Sequence, residues 1–180
     1  MKYILLLVFG LSLATVVTSV SGKLQTRLTV AQRAAGLRLA MGWSELLAAP
    51  NDVPIEMSEV VLLERKGDRR LIWLDARSEA EQHVSVIPGA VPSRGFTDDR
   101  FNPEKEVVIV YDTIGFDALE RAQSLNLDRR WHAVVRSLRG GTIAWAQAGR
   151  AFQDGRGPTK RLRISAALWN LAPPGYDVSW

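Results

Sequence analysis

The sequence predicts an α/β domain, a parallel sheet with helices on both faces. Three observations carry that expectation. Two short runs, Leu71 to Leu74 and Val107 to Tyr111, are apolar throughout, the pattern of strands covered on both sides. Segments with helical apolar spacing separate and follow them, so strands and helices alternate along the chain. The length, 180 residues, suffices for one such domain with a real core plus extensions.

The elements follow in order. Met57 to Asp68 suits a short helix that closes at Gly67, and Arg69 to Arg77 is a strand with a continuous apolar centre. Ser78 is placed to cap the next helical turn, with Glu81 three residues on completing a capping box. "SVIPGAVPS" is a short extended segment punctuated by Pro88, Gly89 and Pro92. Val107 to Tyr111 is the second buried strand, and the helix after it, from Phe116 to Leu127, sets Ala118, Ala122 and Leu125 on one face. A third strand runs from His132 to Leu138, and "RGG" opens a last helix reaching Phe152.

Composition narrows the function classes. Hydrophobic residues make up 47% and charged residues 23%, as in a folded domain rather than a disordered tail. The net charge is +4, but the positive charge is scattered and no recognition module accompanies it, so no nucleic-acid partner is expected. An anionic membrane surface suits that balance equally well. Cysteine is absent, which excludes disulfides, thiolate-held metals and a cysteine nucleophile. Histidine occurs only as His83 and His132, both read as structural, so no metal and no cofactor are expected.

The ends carry separate expectations. Residues 3–20 are uncharged, at the boundary between a long signal-peptide core and a short membrane span. Residues 1–22 are therefore a signal peptide or a transmembrane anchor, and the protein is expected to be membrane-anchored or exported, in the cell envelope, with the side left open. Residues 23–53 read as a juxtamembrane helix with Val30, Ala34, Leu37 and Met41 on one stripe, ending near Pro50. The main domain spans 54–152. Residues 153–180 form a basic, Trp-containing extension. It either packs back through Leu168, Trp169 and Leu171, or meets a protein partner through Lys160, Arg161, Arg163, Trp169 and Trp180.

Four pieces in order, "WLDAR", "IPGAVPS", "VVIVYDTIGFDALERAQSL" and "VRSLRGGTIAWAQAG", resemble the rhodanese homology domain family. The matching landmarks are Asp75 and Arg77, Ile87 to Ala90, the six residues from Asp112 to Asp117, and Gly140, Gly141 and Trp145. The resemblance covers roughly Met57 to Phe152 and implies a five-stranded parallel sheet flanked by helices. It also implies a chemistry: a cysteine at the first loop position carries sulfur as a persulfide, held by loop N–H groups at a helix start.

Here the loop reads Asp112, Thr113, Ile114, Gly115, Phe116 and Asp117. Gly115 matches the family's loop glycine, but aspartate replaces the cysteine, so no catalytic residue for sulfur transfer is expected. Asp112 is expected to turn its carboxylate into the amide nest, where several N–H bonds would depress its pKa and make it a poor base near neutral pH. Asp117 is read as a helix-start charge favoured by the dipole. Arg77 is expected to brace the turn with Asp75, with service to a pocket as its alternative, and the resemblance sets Arg94 beside the loop, so both are candidate pocket neighbours. These readings add up to a catalytically inactive binding or scaffolding module. The alternative is an enzyme of different chemistry that uses Asp112.

Overall fold

The computed structural model of the chain describes residues 32, 35, 36, 39, 53–96, 102, 104–127 and 135–180. Five strands form one parallel sheet: β1 (Pro54–Ile55), β2 (Arg70–Asp75), β3 (Val91–Pro92), β4 (Glu106–Tyr111) and β5 (Val135–Leu138). Their order is β1-β5-β4-β2-β3. From residue 53 onward the described α-helices are α1 (Met57–Lys66), α2 (Glu79–Gln82), α3 (Phe116–Leu127) and α4 (Gly141–Gln147). The expected parallel sheet with helices is what forms.

β4 lies inside the sheet and every residue in it is buried, which accounts for its unbroken apolar run. Its alternate side chains feed two cores. Val107, Ile109 and Tyr111 join one, with Trp73, Val60 of α1 and Ile143, Trp145 and Ala146 of α4. Val108 and Val110 join the other, beneath Ala118, Leu119, Ala122 and Leu125 of α3. Trp73 sits edge-on to both Tyr111 and Trp145, with ring centroids 6.3 and 5.3 Å away.

The helix ends follow local chemistry. α1 closes at Gly67, whose φ of 63° is the left-handed conformation that terminates helices. α2 has the capping box expected at Ser78 and Glu81. α4 is shorter than its sequence pattern: a turn at Ala148 and Gly149 ends it, and Phe152 starts a strand instead.

Residues 153–180 belong to the packed domain. β6 (Phe152–Asp154) and β7 (Gly157–Thr159) form a hairpin, and β8 (Arg161–Arg163) pairs in parallel with β9 (Asp177–Ser179). Leu162, Ile164 and Ala172 are buried in the first core, where Trp169, Leu171 and Val178 pack against them. Val86 and Gln153 exchange backbone hydrogen bonds of 2.9 and 2.8 Å, tying the hairpin to the segment after α2. The boundary drawn at residue 152 from composition therefore does not divide the structure. Lys160 and Arg161 are exposed, as is Trp180, while Trp169 is turned toward the core.

The signal or anchor assigned to 1–22 lies outside the described residues, as does most of 23–53. Gln32, Ala35, Gly36 and Leu39 are described there and are helical, and Gly36 sits close against the Leu171 side chain. Among the described residues no helix is long and apolar enough to cross a membrane.

Candidate functional site

The loop after β4 starts with Asp112, which is buried. One carboxylate oxygen accepts the Gly115 N–H, and the other accepts the Asp117 N–H at 3.1 Å. Gly115 makes this turn at φ 94°, where a side chain is strained, and a Cβ there would lie 2.9 Å from the Leu138 carbonyl oxygen. The loop is also stapled to α4. Thr142 N–H donates to the Asp112 carbonyl at 2.8 Å and Ile143 N–H to the Thr113 carbonyl at 3.2 Å. Gly141 permits that approach, since its missing Cβ would fall against Asp112 and Thr113.

The electrostatics differ from the sequence expectation. The Asp112 pKa is raised to about 6, not depressed. Burial is the largest cause, and the nearby Asp117 charge adds to it; the N–H donors of Gly115 and Asp117 pull the other way without winning. The expectation counted the hydrogen bonds and left out the cost of taking the charge from water.

Around the loop lies a buried polar network. Arg77 meets both oxygens of Asp75, at 2.6 Å for the closest pair, and donates to the Ser85 carbonyl at 2.7 Å. Burial acts to lower the Arg77 pKa, but the Asp75 carboxylate outweighs it and holds it raised. Tyr111 donates its hydroxyl to Asp75 at 2.7 Å and accepts the Ile87 N–H at 3.1 Å. Glu81, also buried, accepts from Thr113 at 2.9 Å and from the Ser78 hydroxyl at 2.7 Å, so α2 holds the loop from the side.

A cleft of about 950 Å³ opens next to this network, lined by Arg77, Arg94, Asp117 and Arg121 together with the start of α2. Of the residues singled out in the sequence, the cleft brings Arg77, Arg94 and Asp117 together. Asp112, Thr113, Ile114, Gly115 and Phe116 do not line it. Phe116 is instead exposed at the start of α3, and Ile114 is in the core. His83 is exposed, its ring nitrogen 2.7 Å from the Glu79 carbonyl. Among the described residues no group of acidic or histidine side chains gathers as a metal site would require.

Glu81, Tyr111 and Ser85 were not singled out as site residues. A tyrosine closing an aliphatic strand and a capping-box glutamate were the only signals available for the first two. Ser85 had none.

No known family model matches the sequence, and no curated protein matches it. Several solved structures are similar. The chain is similar to the thiosulfate sulfurtransferase of Pseudomonas aeruginosa at 25% identity and a TM-score of 0.49, over 68% of this chain and 23% of that one. It is similar to a rhodanese-like domain protein from Staphylococcus aureus at 18% identity and a TM-score of 0.44, over 57% of this chain and 97% of that one. A rhodanese-related protein from Thermoplasma volcanium is 15% identical with a TM-score of 0.42, over 56% and 96% of the two chains.

Proposed function

We propose that this chain is a rhodanese-like domain whose sulfur-carrying loop is filled by its own carboxylate, and that it acts by binding a protein partner rather than by turnover. The observation that carries the reading is the Asp112 side chain, buried and bonded to the Gly115 and Asp117 N–H groups. Those are donors a loop anion would use, and they are already taken. No cysteine exists elsewhere in the chain to carry a persulfide. A tether or export route through residues 3–20 would hold the module at or beyond a membrane.

The test restores the missing nucleophile. Asp112→Cys is the only thiol in the chain, so any sulfur gained must sit there. Its thiolate attacks the outer sulfur of thiosulfate, forming the S–S bond as sulfite leaves. The expected result is an intact mass higher by one sulfur in the variant and unchanged in the wild type. A folded variant that gains no sulfur would show that the loop does not retain a sulfur-carrying frame.

The alternative, other chemistry at Asp112, has one observation in its favour: a carboxyl with a pKa of about 6 can exchange a proton near neutral pH. Against it, the loop withholds that carboxyl from the cleft.

A further inference from the structure

The cleft beside the loop has unspent charges of its own. It opens at the C-terminal ends of β2 and β3, against the first turns of α3, the end of a parallel sheet where ligands bind. Six charged side chains line it: Asp75, Arg77, Glu79, Arg94, Asp117 and Arg121. Asp75 and Arg77 neutralise each other. Arg121 gives one donor to the Ser93 carbonyl at 3.0 Å, which fixes the turn carrying Arg94.

Arg94, Glu79 and Asp117 differ from these, because among the described residues no hydrogen bond or ion pair engages their charged groups. They sit on three separate elements, so the fold holds opposite charges around one concavity without letting them meet. Such an arrangement favours a ligand with both signs of charge over one with a single sign. The volume, about 950 Å³, exceeds what one amino acid fills.

We propose that this cleft receives an extended peptide segment carrying an acidic and a basic side chain close together. The acid lies toward Arg94 and Arg121, the base toward Glu79 and Asp117. The proposal deepens the binding-module reading and rests on it, but it does not depend on what the loop once carried.

The test titrates the isotope-labelled full chain, at low salt, with a terminally blocked tetrapeptide containing one glutamate and one lysine. Amide resonances of Ser78 and Glu79, of Ser93 to Gly95 and of Asp117 to Arg121 should shift together. Arg94→Gln and Glu79→Gln should each weaken binding about three- to five-fold, the scale of one exposed ion pair. Arg94→Glu should shift preference to a peptide with two lysines. Three results overturn the proposal: no shifts, weakening confined to Arg94→Gln (a plain anion site), or equal binding of free glutamate and lysine (a small-molecule site). Sulfur uptake by Asp112→Cys is read independently, so failure of one experiment is distinguishable from failure of the other.

Discussion

Gly141→Ala should strongly destabilise this domain. Gly141 has φ 50°, and a Cβ there would press on the Asp112 carbonyl oxygen and lie 2.7 Å from the Thr113 carbonyl carbon. Both obstacles are backbone, so neither can swing aside. Relief requires α4 to lift from the loop, breaking the Thr142 and Ile143 N–H bonds. The expected cost is about 4 kcal/mol or more, from steric overlap added to backbone strain. Gly149→Ala is the internal comparison, because Gly149 has φ 75° but nothing within 4 Å of the added carbon. It should cost only about 1 kcal/mol, the left-handed penalty alone. Urea denaturation of the two variants measures the difference, and equal costs would mean the loop and α4 are not in contact.

Arg77→Met should come next. The guanidinium is buried with Asp75, each side chain about 1% exposed, and it also satisfies the Ser85 carbonyl. Removing it strands a carboxylate in the interior, where an uncompensated charge costs about 3 to 5 kcal/mol. Much of that cost is the orphaned charge, not the lost pair. The double variant Asp75→Asn/Arg77→Met should therefore be more stable than Arg77→Met alone. If the single and double variants unfold at the same urea concentration, the pair is solvated and the network is not structural.

How far the sequence reached depended on whether the deciding physics was local. Strands β2 and β4 were legible because burial on both faces leaves an unbroken apolar run, and the caps at Gly67 and Ser78 because they are written within a few residues. β1 and β3, two residues each, lie below any periodic signal. The C-terminal strands were hidden for another reason. "RLRIS" alternates as a strand should, with Leu162 and Ile164 inward, but Gly, Pro and basic residues around it dominated its composition. In the site, the position of Asp112 was readable from the strand-to-helix junction and Gly115. The direction of its pKa was not, since that is a contest between desolvation and hydrogen bonding decided by depth. The Asp75–Arg77 pair lies two residues apart and could be anticipated, whereas Tyr111 and Ser85 reach it only through the fold.

Asp112 gives the domain a pH dependence with a definite sign. Its folded pKa of about 6 lies above the ordinary aspartate value of about 3.9, so the native state binds the extra proton between them. The stability it contributes is fully present below pH ~4 and is lost as pH rises through about 6, a change of about 3 kcal/mol. The measurement that tests the filled nest most directly is a carboxyl-carbon NMR titration of Asp112 in the wild-type chain, followed together with the Gly115 and Asp117 amide protons. One midpoint near 6 is expected in all three signals, because the same carboxylate accepts both N–H groups. A midpoint near the ordinary aspartate value, with both amides unmoved, would place the carboxylate in water and leave the nest unfilled.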